Sequence, residues 1–240
     1  TLKNSIVTLF DTKKAEVIIE IPANAKEQSV AIDTAVIKKL EKKGKCLTIT
    51  SGNVKLVLPA DAIGEVQLSS AGDASQLKLS INKIGLQQAA GNAGVQQPGS
   101  GLTLIGGSLY GFSAELVSKD KTIVITGFDA SARITISLKG MSLNGIDTEK
   151  LGAYYYNEGT KAWEYIGGSY DPSTGAMSVD TRHFSYYSVM QYYKTFADIA
   201  DHWSRSYVEK MASRYIAKGE NGSFRPDATI SRAEFTALLV

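Results

Sequence analysis

His183 and Ser185 flank Phe184, so a basic ring and a hydroxyl lie next to the same peptide bond. The Ser185 hydroxyl could attack the Phe184 carbonyl while His183 takes up its proton. The peptide C–N bond then breaks as the Ser185 nitrogen receives a proton, the amide becomes an ester by this N-to-O shift, and water hydrolyses the ester. A twisted amide would assist this step by losing resonance. The alternative is a plain strand in which Phe184 and Tyr186 share one face. The sequence therefore allows either self-cleavage at Phe184-Ser185 or a structural role.

A second group of residues could bind an anion at the start of the last helix. Ser231 and Glu234 have the spacing of a capping box, which predicts that a helix begins there. Arg232 falls in its first turn, where a guanidinium, backbone donors and the helix dipole all favour a carboxylate. Glu234 has two interpretations, as the cap partner or as a ligand contact.

The segment before this helix has helical spacing. Trp203, Tyr207 and Met211 recur every four residues, with Val208 and Ala212 beside them, which predicts one apolar helix face. We interpret Trp203 as part of a core, and its alternative role is a flat platform for a ligand.

These features occur in a fixed order between Thr195 and Val240. The order is Phe196-x-Asp198, His202-Trp203, a helix, Gly222-x-Phe224-x-Pro226 and Ser231-Arg232-Ala233-Glu234. The segment resembles a surface-layer homology (SLH) domain, whose last motif usually has Thr where this chain has Ser231.

The resemblance implies a partner and a location. SLH domains bind secondary cell-wall polysaccharide, a peptidoglycan-linked glycan that often bears pyruvylated sugars, so a Gram-positive, extracellular protein of the cell wall or S-layer is expected. It implies Arg232, Glu234, Trp203 and Asp198 as ligand-binding residues, although Asp198 could instead cap the first helix. Such domains usually occur in three copies that form grooves, and one copy is present here, so a complete groove is in doubt.

The preceding residues predict a mainly β fold. Short alternating runs separated by turn residues indicate two antiparallel β-sandwich-like modules followed by the partial α-helical SLH domain. The expected boundaries are a β module with one helix at 1–90, a Gly-rich linker or loop at 91–101, a second β module at 102–193 and the SLH domain at 194–240. The alternative is one sandwich whose halves are joined by a long loop.

The second β region ends in a hairpin series rich in aromatic residues. This series, which includes Tyr154-Tyr155-Tyr156 and Trp163 and ends at His183-Phe184-Ser185, resembles ZU5-like and GAIN-like modules, some of which cut themselves at a His-Phe-Ser signature. Its aromatic rings could stack on sugars or pack in a core, and alternation places Tyr155 on the face opposite to its neighbours.

Composition limits the remaining functions. The 240 residues are 43% hydrophobic with a net charge of +2, so neither disorder nor nucleic-acid binding is expected. The sequence has no apolar run of about 18 residues to span a membrane, no phosphate-binding loop and no zinc-ligand spacing. No metal or cofactor is expected.

We therefore predict a region without catalysis, apart from the self-cleavage hypothesis. The alternative is an ancillary or carbohydrate-binding region of an extracellular polysaccharide-degrading enzyme. The absence of an initial Met and the apolar run at Ala237–Val240 suggest a piece of a longer protein.

Overall fold

The computed structural model describes residues 16–22, 28–70 and 75–239. The strands in this part of the chain are β1 (Glu16–Ile21), β2 (Ser29–Asp33), β3 (Cys46–Ser51), β4 (Val54–Pro59), β5 (Gln76–Gly85), β6 (Leu102–Leu104), β7 (Ser108–Val117), β8 (Thr122–Val124), β9 (Ala132–Ser137), β10 (Leu151–Asn157), β11 (Ala162–Tyr165), β12 (Ser169–Asp171), β13 (Ala176–Thr181) and β14 (Tyr186–Tyr192). The helices are α1 (Thr34–Lys42), α2 (Glu65–Ser70), α3 (Leu86–Ala93), α4 (Arg205–Ser213) and α5 (Arg232–Leu239). The predicted mainly β fold with a small helical C-terminal part is confirmed.

The first sheet has the strand order β1-β3-β4-β9-β13-β12. β1 and β3 are parallel, and the other neighbours are antiparallel. Alternate residues of β4, Val54, Leu56 and Leu58, are buried. This alternation directs one face of the sheet into the core, as the period of two requires.

The second sheet has the order β11-β10-β14-β7-β5-β2, with β6 on β14 and β8 on β7. All of its pairings are antiparallel. The longest pairing joins β5 to β7, from Gln76 opposite Val117 to Gly85 opposite Ser108. This pairing joins the first half of the chain to the second.

Both sheets contain strands from both halves of the chain, since β4 also pairs with β9. The facing surfaces of the two sheets share one buried cluster, which includes Leu56, Leu77, Ile134 and Val189. Of the two arrangements that the sequence allows, the topology is therefore that of one sandwich. Alternation fixes the face that a strand buries, but it does not identify the neighbouring strand.

The Gly-rich segment 91–101 is a packed loop rather than a free linker. Helix α3 extends into it as far as Ala93, and Gly94 adopts a left-handed conformation with φ of 65° at the helix end. Val95 is 1% exposed. The Gln96 carbonyl accepts a hydrogen bond from the Trp163 indole at 2.9 Å. The composition alone did not reveal this packing, in which small residues lie close to an aromatic side chain.

This loop and α3 cover a second buried cluster on the outer face of the second sheet. Tyr154, Tyr156 and Trp163 lie in that cluster, whereas Tyr155 packs against the core between the sheets. The predicted alternation of the three tyrosines is confirmed. Tyr154 and Tyr156 are fully buried, so these rings pack in a core and offer no sugar platform.

The C-terminal part has a small core of its own. Phe196, Ile199, Val208, Ala212 and Ala217 form this third cluster, against which Phe224 packs. Only Tyr193, Lys194 and Thr195 separate it from β14. The helical part therefore follows the sandwich almost directly.

Candidate functional site

Asp198 holds the loop that precedes α5. Its carboxylate accepts hydrogen bonds from the backbone N–H groups of Phe224 at 2.9 Å and Arg225 at 2.6 Å. These bonds lower the pKa of Asp198 below its ordinary value. The suggested role of Asp198 as the cap of the first helix is wrong, because Ser204 occupies the N-cap position of α4. Sugar contact by Asp198 stays a prediction.

Like Asp198, His202 makes a polar contact with the loop that precedes α5. The Ser204 N–H donates to Nδ1 of His202 at 3.2 Å, so the neutral ring carries its hydrogen on Nε2. That nitrogen lies 3.3 Å from the Asp227 carboxylate. Asp198 and His202 therefore fix the loop against the start of α4.

The predicted capping box at the start of α5 is confirmed. The Ser231 N–H donates to Glu234 at 2.8 Å, and the Glu234 N–H donates to the Ser231 hydroxyl oxygen at 3.2 Å. The Ser231 hydroxyl and N–H both lower the pKa of Glu234. Glu234 therefore acts as the cap partner, and Arg232 lies exposed in the first helical turn. Ligand contacts by Arg232 and Glu234 stay predictions.

The core role predicted for Trp203 is wrong. Trp203 is 80% exposed, and Tyr207 is 64% exposed. The adjacent stripe of α4 packs inward instead, with Val208 and Ala212 buried in the third cluster. Both stripes have helical spacing, so periodicity could not decide which of them is buried.

An ion-pair network joins α4 to the sandwich. Lys150 lies 2.8 Å from Glu209 and 3.3 Å from Asp147, and Arg205 lies 3.0 Å from Glu209. The side chains of Lys150 and Glu209 are only 10% and 8% exposed. Sequence reasoning missed this network because the two residues are far apart in the chain and have no common motif.

The network keeps its charges at neutral pH. Burial alone would raise the pKa of Glu209, but hydrogen bonds from Lys150 and Arg205 outweigh it, and the pKa is lowered. For Lys150, burial lowers the pKa, and the bonds to Glu209 and Asp147 raise it to a net value above normal. The contribution of Glu209 to stability is lost as pH falls through its folded-state pKa, and that of Lys150 as pH rises through its own.

Aromatic packing forms the second contact between the two parts. Tyr215 stacks on Tyr192 with a centroid distance of 4.8 Å and an interplanar angle of 5°. It also lies 5.4 Å from the ring of Tyr165. Tyr215 has a φ of 60°, in the left-handed region that non-glycine residues rarely adopt. The ring contacts therefore stabilise an unfavourable backbone conformation.

His183 and Ser185 have separate partners. The Ser185 hydroxyl donates to the Tyr156 carbonyl at 2.7 Å, and Nδ1 of His183 lies 3.4 Å from the Tyr187 hydroxyl. Phe184 packs in the core between the sheets, whereas Tyr186 packs in the outer cluster. The expected shared face of Phe184 and Tyr186 is therefore wrong, because Phe184 lies outside β14, which begins at Tyr186, and strand alternation does not extend to it. Self-cleavage and its ZU5-like or GAIN-like origin stay predictions.

The class of the C-terminal part follows from its ordered motifs, from the contacts of Asp198 and His202 with the loop, and from the capping box. Residues 195–236 match the family model of the S-layer homology domain. This segment is an S-layer homology domain, and the resemblance stated from the sequence is confirmed. The domain also confirms the predicted location at the cell surface. Within the described residues, the longest helices are too short or too polar to cross a bilayer.

Three enzymes are similar to this chain. Over its whole length the chain is 28% identical to an amylopullulanase of Thermoanaerobacterium thermosulfurigenes, of which it covers 12%. An exoglucanase XynX of Acetivibrio thermocellus is 43% identical over 47 residues, and an endo-1,4-beta-xylanase A of Thermoanaerobacterium saccharolyticum is 40% identical over 47 residues. These two alignments cover 19% of the chain and 4% of each enzyme. The chain thus spans a small part of its relatives.

Proposed function

We propose that this chain is the wall-anchoring region of a cell-surface protein and that its S-layer homology domain binds secondary cell-wall polysaccharide. The family match at residues 195–236 is the observation that carries this proposal. The capping box supports it, because it presents Arg232 at the positive end of α5, where a guanidinium can pair with a sugar-borne carboxylate such as that of a pyruvyl group.

We further propose that the anchored protein is a polysaccharide-degrading enzyme and that this chain is its ancillary region. The similarity to the amylopullulanase favours this assignment because it covers the β-sandwich as well as the S-layer homology domain. Two further relatives, an exoglucanase and a xylanase, agree with it.

The test is a pull-down of the full-length protein with peptidoglycan sacculi, before and after removal of the wall polysaccharide. We expect binding only before removal. Arg232→Ala should weaken the affinity of this domain about tenfold to a hundredfold, the range for one charge-assisted hydrogen bond. Arg214→Ala is the control, because this exposed arginine lies in the same domain but outside the capping box. Equal binding to both sacculi preparations would refute the proposal.

A further inference from the structure

A groove runs between the sandwich and α4. Its volume is about 560 Å³. The sandwich lines it with Asp147, Glu149, Lys150 and Tyr193, and the opposite wall is formed by Trp203, Arg205, Ser206, Glu209 and Lys210. Small-molecule sites occur preferentially in such clefts between structural units. The groove is separate from the capping box of α5, whose residues do not line it.

Aromatic rings line this groove. Trp203 is 80% exposed and Tyr193 is 44% exposed. The indole of Trp203 has His202 at a centroid distance of 5.5 Å and Tyr207 at 6.4 Å. An exposed indole beside a polar cleft offers a flat apolar face, which suits the C–H face of a pyranose ring better than a flexible aliphatic side chain would.

The charges of the groove cancel. Its cations are Lys150, Arg205 and Lys210, and each is paired with a carboxylate that also lines the groove. Lys210, for example, lies 2.6 Å from Glu149. Together with Asp147 the groove therefore has three cations and three carboxylates. An anionic ligand would meet no net positive charge there, whereas sugar hydroxyls would find both donors and acceptors.

We propose that this groove binds an uncharged pyranose unit of a glycan chain, with Trp203 stacked on the sugar and Ser206, Lys210 and Glu149 in reach of its hydroxyls. The inference rests on the proposed glycan-binding function but assigns a second subsite with a different charge preference from that of Arg232. The sandwich supplies one wall of this subsite, so the S-layer homology domain binds the unit jointly with the sandwich. Uncharged pyranoses occur both in polysaccharide substrates and in neutral stretches of wall polymers.

The chain has two tryptophans, which makes a direct measurement possible. Trp163 is 9% exposed in the outer cluster of the sandwich, far more enclosed than Trp203. In the protein labelled with 5-fluorotryptophan, fluorine NMR gives one resonance for each, and Trp203→Phe assigns them. We expect maltotriose, xylotriose or neutral oligosaccharides from the wall polymer to shift the Trp203 resonance with saturation at millimolar concentration. The sugar that saturates at the lowest concentration identifies the source.

Two controls test the charge of the ligand and the position of the aromatic side chain. A pyruvylated monosaccharide should shift Trp203 only weakly. Trp203→Ala should weaken sugar binding, measured by calorimetry, at least about tenfold. Tyr207→Ala should retain it, because Tyr207 is exposed in α4 but does not line the groove. Both side chains are exposed, so neither variant should lose its fold.

Two outcomes would overturn the inference. One is a Trp203 resonance that no neutral sugar shifts; the other is a stronger shift with the pyruvylated sugar. Arg232→Ala separates this inference from the wall-anchoring proposal, since it should reduce binding to sacculi and leave the Trp203 titration unchanged. In the unaltered protein, sacculus binding that does not depend on the wall polysaccharide, together with an intact Trp203 titration, would contradict the anchoring proposal alone.

Discussion

Ser185 donates its hydroxyl hydrogen to the Tyr156 carbonyl, and the neighbouring Phe184 ring packs 4.7 Å from Phe128. General-base catalysis would need the Ser185 hydroxyl to donate to His183 instead. We therefore expect intact mass spectrometry of the protein, kept for days at neutral pH, to show one full-length species. Ser185→Ala should leave the mass pattern unchanged and cost about 1 kcal/mol of stability for the lost hydrogen bond. Two fragments separating at Phe184-Ser185 in the wild type alone would establish self-cleavage.

The ion pair between Lys150 and Glu209 leads to a second prediction for single residues. Lys150→Met leaves the buried Glu209 carboxylate without its lysine partner, and we expect a loss of about 1–3 kcal/mol in the free energy of unfolding. Arg133→Met is the matched control. It removes the exposed pair with Asp180, whose side chains are 61% and 51% exposed, and should cost less than about 1 kcal/mol.

Chemical denaturation of the two variants measures this difference. Equal losses would mean that the junction network contributes no more than a surface pair. Because the contribution of Glu209 is lost as pH falls through its lowered pKa, the difference between the variants should shrink in acid.

At the scale of helices and strands, features that depend on neighbouring residues, such as helix caps, were predictable. Strand pairings, which depend on residues far apart in the chain, were not. The capping box of α5 follows from residues three positions apart, and the cap of α1 is equally local, since Asp33 accepts a hydrogen bond from the Ala35 N–H at 2.8 Å. Strand pairing depends on residues far apart, so the mixing of the two halves could not be derived from alternation. Helix α3 was missed because its Ala, Gly, Gln and Asn residues resemble a linker.

The candidate site shows the same division. Ser231 and Glu234 are three residues apart, and their contact was predictable. The exposure of Trp203 depends on which stripe of α4 meets Phe196, and the groove depends on Lys150, a residue of the sandwich. No pattern inside the S-layer homology segment contains that information.

Helix α5 provides the prediction at this scale. Its residues from Arg232 to Leu238 are exposed, so the capping box contributes much of its stability. Ser231→Ala removes the hydroxyl acceptor and should destabilise the helix by about 1 kcal/mol, whereas Ser231→Thr keeps the cap. Hydrogen exchange of the α5 amides should be faster in the alanine variant and unchanged in the threonine variant. Identical exchange in both would show that other contacts maintain this helix.

For the whole molecule, the two buried clusters of the sandwich predict independent folding of that part. A chain that ends at Tyr193 keeps the core between the sheets and the outer cluster, and loses the contacts of Tyr215 and Glu209. We expect a cooperative thermal transition with a β-type circular dichroism spectrum, at a lower temperature than in the complete chain. A gradual transition would show that the sandwich needs the S-layer homology domain in order to fold.

The short connection between β14 and Phe196 has a mechanical consequence. The connection has only three residues, Tyr193 to Thr195, which is too short for a flexible linker. The ion pair Lys150–Glu209 and the stack of Tyr215 on Tyr192 fix the angle between the sandwich and the S-layer homology domain. A protein tethered by a long flexible linker samples a hemisphere above its attachment point, with a reach that grows as the square root of linker length. The packed junction instead holds the sandwich in one orientation relative to the S-layer homology domain. Under the proposed wall anchoring, the height and tilt of the sandwich above the wall would follow from folded dimensions, and a load on it would be transmitted to the wall through side-chain packing.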